Sequence, residues 1–427
     1  MKVALVNPRW DYRHSIYFGC RAPHLPLELG YSRALLETAG HEVLMLDGQI
    51  QNLSHEDMAA RVHGFGPDMT VVTTAPTYLF WRCAPPELRV PRHLLAALGD
   101  GAGQTVAVGP HGSATPALAL RKLGVTLVIR GECEEVIAAL ADAPARRDLP
   151  GTAWRDAQGD VQIIGAAAAT RFTDTPALHW PQDWITRHGH HHHRFDAAPE
   201  GPGAEVEASR GCPYACTFCA KTDFRDRYRK RGLGPLLAEI DGLIAQGVTY
   251  LYFIDEIFLP RPELLAALAA RPVKFGIQTR IDLWTPEMLD LLGAAGCVSI
   301  EAGVESLTME GRAVLAKKCR LDTDELSARL FHARRSVPFV QANLIRAEEN
   351  EMKLVSAWRA EMQAHGVWAN DPVPLFPYPS APEYRRLWGE PDDQAWERAL
   401  DHYLQQFDTL SDLQDDQPLP LAALERE

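Results

Sequence analysis

The sequence predicts an α/β fold made of two blocks of alternating strands and helices, followed by a C-terminal region that is mainly helical. Three observations support this prediction. Short β-branched apolar runs alternate with amphipathic stretches through residues 1–141, a similar alternation fills residues 204–345, and helical apolar spacing dominates residues 346–427. A chain of 427 residues is long enough for two or three domains with cores of their own.

The first block, residues 1–141, has the alternation of a parallel, doubly wound sheet of the Rossmann or flavodoxin-like kind. Ligands of such sheets bind beyond the carboxyl ends of the strands, here near residues 73–77, 109–113 and 130–132. Glycine in these loops lets a backbone approach a flat or anionic ligand closely. No Gly-x-Gly-x-x-Gly motif follows the first strand, so a dinucleotide is not favoured. The predicted strands are 3–6, 43–46, 69–73, 105–108 and 127–129, and the predicted helices are 27–38, 56–63, 91–98, 116–123 and 134–140.

Residues 142–203 interrupt this alternation with Ala-, Pro- and Gly-rich sequence, which indicates a connector with one short hairpin within residues 152–164. The connector contains four consecutive histidines, His190 to His193. Four adjacent side chains cannot all face one ion on a regular element, so a solvated segment is favoured over a metal site.

The second block, residues 204–345, opens with a strand that runs into three closely spaced cysteines, Cys212, Cys216 and Cys219. Three thiolates in a Cys-x-x-x-Cys-x-x-Cys loop can hold three irons of a cubane cluster and leave the fourth iron open to a substrate. A structural zinc site, which needs a fourth ligand, is the less favoured alternative. The remaining cysteines are expected to be small buried side chains; they are Cys20, Cys83, Cys133, Cys297 and Cys319.

Four further strands alternate with helices in this block, as in a βα barrel, whose functional groups lie at the carboxyl ends of the strands. Glu256, Arg280 and Glu301 fall at successive predicted strand ends. The alternative is that they are exposed loop residues, but their recurrence after the cysteine loop favours a site. The predicted strands are 250–254, 274–278, 298–301 and 338–342, and the predicted helices are 236–245, 262–269, 286–294 and 324–333.

The cysteine loop and these strand ends resemble the radical S-adenosylmethionine (SAM) superfamily. The resemblance implies a partial (β/α)6 TIM-like barrel that carries a [4Fe–4S] cluster on Cys212, Cys216 and Cys219, with SAM on the open iron. It also implies an electron donor such as a flavodoxin or ferredoxin. Phe218 matches the family position beside the adenine, and residues 252–258 look like the acidic motif that contacts the SAM amino group. The polar residues that the resemblance assigns to SAM are Asp255, Glu256, Arg280, Glu301 and Glu305.

The first block is similar to the N-terminal domain of the cobalamin-binding radical SAM proteins at residues 25–31, 39–43, 108–112 and 131–134. This similarity implies that residues 1–141 bind cobalamin. The Asp-x-His-x-x-Gly loop that supplies a cobalt ligand in many cobalamin enzymes is absent, and this subgroup commonly lacks it. Tyr78, Phe80 and Trp81 fit either a cobalamin pocket or the core. The implied cobalamin contacts are Thr74, Tyr78, Gly109, His111, Gly112, Gly131 and Glu132.

Together the two resemblances, which cover roughly residues 1–345, imply a cobalamin-dependent enzyme that methylates an unactivated carbon of a small metabolite or biosynthetic intermediate. Two alternatives stay open. The same architecture could perform a radical oxidation, cyclisation or rearrangement without methyl transfer. The chain could also be a non-catalytic iron–sulfur or zinc protein.

Residues 346–427 are predicted to form helices at 349–365 and 392–407 around an extended Pro-rich segment, and we expect them to cap the barrel mouth over the substrate. A chain cut after residue 370 is expected to lose turnover and keep its cluster. The larger side chains of this region suit packing better than substrate contact; they include Trp368, Asp371, Trp388 and Trp396.

The net charge of −13 argues against a nucleic-acid partner. The basic run at residues 225–231 is expected to be a solvated turn or a contact for a small anion. No apolar run approaches the ~20 residues of a membrane helix, and the N-terminus has no secretory pattern, so we expect no membrane contact and a cytoplasmic location.

Overall fold

The computed structural model describes residues 1–16, 22–79, 84–189, 200–347, 352–407 and 416–426. The strands in these residues are β1 Lys2–Asn7, β2 Glu42–Asp47, β3 Met69–Thr73, β4 Gln104–Val108, β5 Leu127–Ile129, β6 Thr152–Arg155, β7 Val161–Ile164, β8 Gly203–Val206, β9 Ser209–Arg210, β10 Arg229–Lys230, β11 Tyr250–Phe253, β12 Lys274–Arg280, β13 Cys297–Glu305, β14 Phe339–Leu344 and β15 Trp368–Ala369. The α-helices are α1 Leu27–Thr38, α2 His55–Phe65, α3 Arg89–Leu98, α4 Pro110–Ala114, α5 Pro116–Leu123, α6 Glu134–Asp142, α7 Gln182–Arg187, α8 Leu233–Ala245, α9 Pro262–Ala269, α10 Pro286–Ala294, α11 Met309–Val314, α12 Thr323–Ser336, α13 Met352–Ala364, α14 Pro382–Trp388, α15 Ala395–Gln406 and α16 Leu421–Leu424.

Seven strands form the first sheet, in the order β2-β1-β3-β4-β5-β6-β7. Strands β1 to β5 are parallel, as predicted, and alternate side chains of β1 enter cores on opposite faces. Leu5 packs in the core that includes residues of α1 and α6, whereas Val6 packs with residues of α2 and α3. The predicted hairpin within residues 152–164 is present as β6 and β7, and it extends this sheet because β6 pairs antiparallel with β5.

Six parallel strands form the second sheet, in the order β15-β14-β13-β12-β11-β8. Helices α8, α9, α10 and α12 connect its strands, so all the carboxyl ends lie at one edge. Helix α12 begins with a capping box, in which the carboxylate of Asp322 accepts the backbone N–H of Glu325 and the carboxylate of Glu325 accepts the backbone N–H of Asp322. The predicted α/β fold class is therefore confirmed. Strand β15 was missed because it is only two residues long.

The tail forms a separate core that joins the two sheets. Trp396 and Tyr403 of α15 pack with α16 and also with Leu118 of α5 and Ala220 of the cysteine loop. The indole Nε1 of Trp396 donates a hydrogen bond to Thr115 Oγ1 at 3.0 Å. The two predicted tail helices are present as α13 and α15. No helix among the described residues is long and apolar enough to cross a membrane.

Candidate active site

The three cysteines of the motif lie on the loop that follows β9 and line one cavity of about 270 Å³. Gly211 makes the loop possible because its φ is +80° and a Cβ there would overlap the carbonyl oxygen of Arg227. Within the loop, Cys219 N–H donates to the Cys216 carbonyl at 3.2 Å. The loop is tied to the segment after α11 by Thr217 N–H, which donates to the Leu315 carbonyl at 3.0 Å.

The thiol chemistry of this loop fits a cationic cluster. Burial, reinforced by the neighbouring thiols, raises the pKa of Cys219 to about 12, and burial also raises the pKa of Cys212. A thiolate at such a position is stable only when a cation takes up its charge. Among the described residues, no three His, Cys, Asp or Glu side chains converge closely enough to hold one ion. Each cysteine of a cubane cluster binds a different iron.

The same cavity is lined by Phe218 and by polar side chains from three strand ends, including Glu256, Arg280 and Glu305. Arg280 hydrogen-bonds Asp282 at 2.7 Å, and its guanidinium lies 4.1 Å from the centre of the Tyr214 ring. Glu256 is 8% exposed and Arg280 is 6% exposed, so they are not the solvated loop residues of the alternative interpretation. The structure thus brings these predicted residues and the cysteines together.

Lys317 is a cavity residue that the sequence did not reveal. Its ammonium group is buried, contacts the carboxylate of Glu305 and donates to the Gly303 carbonyl at 2.9 Å. Burial, together with the nearby Arg280 charge, lowers the pKa of Lys317 to about 8. No motif or strand end marks Lys317, because it lies in the irregular segment after α11.

Asp255 and Glu301, also assigned to SAM by resemblance, are not among the residues that line this cavity. The carboxylate of Asp255 accepts the backbone N–H of Ala208 at 2.8 Å and the hydroxyl of Ser209. Glu301 accepts the Tyr252 hydroxyl at 3.1 Å. Both carboxylates therefore contact neighbouring elements of the barrel, and their role toward SAM stays a prediction.

Two of the residues assigned to cobalamin offer unused hydrogen-bonding atoms. Thr74 and His111 are buried at the carboxyl edge of the first sheet, and the His111 ring stacks on Trp396 at 4.3 Å between centroids. Thr74 Oγ1 and His111 Nδ1 make no hydrogen bond within the described part of the chain. Burial lowers the pKa of His111 to about 3, so the ring is neutral. Such orphaned polar atoms fit a ligand with amide side chains.

The other residues assigned to cobalamin contact protein groups. A Cβ at Gly112 would overlap the side chain of Val128, and one at Gly131 would overlap the Ala168 backbone. Gly109, with φ +123°, forms the N-cap of α4. The glycines thus allow close packing within the fold, and their role toward a ligand stays a prediction.

The Tyr78 ring stacks on His24 at 3.7 Å between centroids, and Glu132 forms ion pairs with Arg229 and Arg210. The predictions for Phe80, Trp81 and the four histidines at 190–193 concern residues outside those that the structure describes.

Residues 206–340 match the Radical SAM superfamily. The chain contains a radical SAM domain. The match covers the cysteine loop and strands β11 to β13, so it confirms the resemblance seen in the sequence and supports the [4Fe–4S] cluster and SAM as cofactors.

Curated relatives cover more of the chain. An uncharacterized methyltransferase from Pyrococcus horikoshii is 24% identical over 72% of this chain and 66% of its own length. The anaerobic magnesium-protoporphyrin IX monomethyl ester cyclase of Cereibacter sphaeroides is 27% identical over 83% of this chain and 58% of its own length. The chain therefore spans less than two thirds of the length of these relatives.

Two solved structures share the fold along most of the chain. The radical SAM methyltransferase TsrM from Kitasatospora setae, solved with cobalamin and a [4Fe–4S] cluster, has a TM-score of 0.69 at 19% identity, over 90% of this chain and 76% of that chain. The cobalamin-dependent radical enzyme OxsB, solved with aqua-cobalamin and SAM, has a TM-score of 0.68 at 16% identity, over 99% of this chain and 57% of that chain. Likeness at these identities establishes the fold.

Proposed function

We propose that the protein is a cobalamin-dependent radical SAM methyltransferase that methylates an unactivated carbon of a small metabolite or biosynthetic intermediate. The observation that carries this proposal is the cavity in which the three motif cysteines meet Phe218, Arg280 and Lys317. Three thiols, an aromatic ring and two cationic side chains around one space support the binding of a cluster together with SAM. Methyltransferases among the relatives and the shared fold with TsrM support the methyl-transfer part.

In this proposal the residues of the chain bind and orient the reactants. Cys212, Cys216 and Cys219 would hold three irons of the cluster, and its fourth iron would be left for SAM. Arg280 and Lys317 supply the positive charge that a carboxylate of SAM needs, and Phe218 packs beside its adenine. When bound, the cluster and SAM together supply a 5′-deoxyadenosyl radical, and cobalamin supplies the methyl group.

Cobalamin is assigned to the first sheet, where the buried atoms Thr74 Oγ1 and His111 Nδ1 have no hydrogen-bond partner in the described part of the chain. The division of the chain into residues 1–141 for cobalamin, 204–345 for SAM and 346–427 for capping the substrate belongs to the same proposal. So does a flavodoxin or ferredoxin as the source of electrons, and so does a cytoplasmic location.

A radical cyclisation or oxidation without methyl transfer is the second candidate function. The similarity to the anaerobic cyclases of Cereibacter sphaeroides and Rubrivivax gelatinosus favours it. In this case the residues around the cluster keep the same roles, and the difference lies in the fate of the substrate radical.

The test is an anaerobic reaction of the reconstituted protein. The protein is loaded with iron, sulfide and hydroxocobalamin, SAM and dithionite are added, and nucleoside products are quantified by mass spectrometry. S-adenosylhomocysteine together with 5′-deoxyadenosine supports methyl transfer, whereas 5′-deoxyadenosine alone supports the second candidate.

Two cysteine variants complete this test. Cys216→Ala removes one predicted cluster ligand, and Cys297→Ala removes a buried thiol at the start of β13. The first variant should release neither product and the second should behave as the wild type. If Cys216→Ala cleaved SAM at the wild-type rate, the cluster assignment would be wrong.

A further inference from the structure

A buried network of ion pairs joins the first sheet to the cysteine loop. Its centre is Arg225, whose side chain is 1% exposed and lies between the two halves of the molecule. The guanidinium contacts Glu28 of α1 and hydrogen-bonds Glu207 at 2.7 Å and Glu256 at 3.0 Å. The expectation that the basic run is a solvated turn or a contact for a small anion was wrong for Arg225 and Arg231, because both are buried and paired with carboxylates of the chain.

A second buried arginine makes a parallel connection. Arg210 hydrogen-bonds Glu134, the first residue of α6, at 2.6 Å and Glu207 at 2.7 Å. It also lies 3.3 Å from Glu132, and its guanidinium lies 4.5 Å from the centre of the Phe172 ring. Glu207 accepts from both arginines, so the two connections form one network.

The network ends at the backbone of the cysteine loop. One carboxylate oxygen of Glu256 accepts a hydrogen bond from Arg225, and the other accepts the backbone N–H of Gly211 at 2.7 Å. Gly211 directly precedes Cys212 in the chain. Arg210 lies just before the first cysteine of the motif and Arg225 shortly after the last, so both ends of the loop are attached to α1 and α6, the helices that pack against the first sheet.

Stability alone is a weak reason for such a network. Removing two guanidinium groups and several carboxylates from water has a desolvation cost that often exceeds the gain from pairing them. The planar guanidinium instead has its donors in a fixed arrangement, so one arginine can hold carboxylates from several elements in fixed relative positions. Residues behind metal ligands commonly orient those ligands and tune the metal centre.

We propose that Arg225 is a positioning residue for the iron–sulfur cluster. Through Glu256 it fixes the backbone at Gly211, and through Glu28 it makes this geometry depend on the docking of the first sheet. The inference rests on the proposed function, because it needs a cluster on the three cysteines. It adds that the N-terminal domain sets the orientation of the cluster in addition to holding a cofactor of its own.

The test uses Glu28→Gln and Arg225→Lys, with Glu239→Gln as the matched control. Glu28→Gln removes the negative charge that α1 presents to Arg225 without touching the loop, and Arg225→Lys keeps the positive charge but loses the planar guanidinium that contacts three carboxylates at once. Glu239 is also fully buried and binds an arginine, Arg231, at 2.7 Å. Arg231 lies 3.5 Å from the Glu207 carbonyl, but neither Glu239 nor Arg231 contacts residues 210–224 among their described contacts.

Three readouts separate positioning from stability. Hydrogen exchange of residues 210–224 in the cluster-free protein reports the bond from Gly211 N–H to Glu256. The electron paramagnetic resonance spectrum of the reduced cluster, with and without SAM, reports cluster geometry. The dissociation constant of SAM, measured on the loaded protein, reports how well the open iron is presented.

We expect Glu28→Gln and Arg225→Lys to bind wild-type amounts of iron, to exchange faster over residues 210–224, and to show an altered spectrum. SAM affinity should fall about tenfold. Glu239→Gln should lower the melting temperature and change none of the three readouts. If Glu28→Gln gave the same readouts as Glu239→Gln, the positioning role would be refuted. A wild-type protein that bound no cluster would overturn the proposed function together with this inference.

Discussion

Lys317 and Glu305 form a buried ion pair in the wall of the cysteine cavity. The backbone around this pair is unusual, since Glu305, Ala316 and Lys318 have φ values of +65°, +50° and +53°. Residues other than glycine rarely adopt this conformation, and such strained positions cluster at binding and catalytic sites. The strain therefore supports a role for Lys317 in binding rather than in packing.

Lys317→Met is predicted to weaken SAM binding by about tenfold or more, because it removes a buried cation from the cavity. The iron content should not change, since all three cysteines remain. Lys318→Met is the matched control, because it makes the same substitution one residue away on an exposed side chain. Equal SAM affinity of the two variants, measured by equilibrium dialysis, would exclude this role.

The strand-end residues could be predicted from the sequence because the regular alternation of strands and helices indicates where each strand ends. The pattern predicts a helix at 262–269, and the structure has α9 at Pro262–Ala269. One strand ends before this helix and the next begins after it, so the strand-end positions of Glu256 and Arg280 could be predicted from local sequence. The positions of Lys317 and Arg225 could not be predicted. They depend on which irregular segments pack together, here through the contacts of Leu315 with Thr217 and of Glu28 with Arg225.

Gly211→Ala is predicted to disrupt the cysteine loop. Gly247→Ala is the control, because both glycines have positive φ, +80° and +90°, but only at Gly211 would a Cβ overlap backbone. The control should lose about 1–2 kcal/mol of unfolding free energy from the backbone conformation alone. Gly211→Ala should lose more and should also bind less iron. Full iron loading of Gly211→Ala would show that the loop accommodates the methyl group.

Removing the tail after residue 370 is now expected to impair cluster binding as well as turnover. The structure changes the expectation from the sequence because the tail contacts the cysteine loop directly. Glu383 N–H donates to the Thr217 carbonyl at 2.9 Å, Ser380 Oγ donates to the Ala220 carbonyl at 3.0 Å, and Arg385 pairs with Asp223 at 2.6 Å. Iron and sulfide analysis of the truncated chain decides the question, and a full complement of both would restore the original expectation.

Glu87 gives the fold a dependence on pH that can be measured apart from any cofactor. Its carboxylate is buried beside α3, where it accepts the Ser15 hydroxyl at 3.0 Å and lies 3.8 Å from Arg89. Burial raises the pKa of Glu87 from 4.5 to about 7, because the nearby arginine only partly offsets the loss of water. The folded protein therefore holds this proton over a range of pH in which the unfolded chain has released it.

The sign of the effect follows from this difference. The stabilising contribution of the Glu87 proton is fully present below pH 4.5 and is lost as the pH rises through about 7. Glu87→Gln keeps an acceptor for Ser15 without the charge, so it should raise the unfolding free energy at pH 8, by up to about 3 kcal/mol, and flatten the slope between pH 5 and 7. Glu56→Gln, on the exposed start of α2, should instead leave that slope unchanged. Denaturant unfolding at a series of pH values measures both, and a slope that persists in Glu87→Gln would assign the dependence to another buried carboxylate.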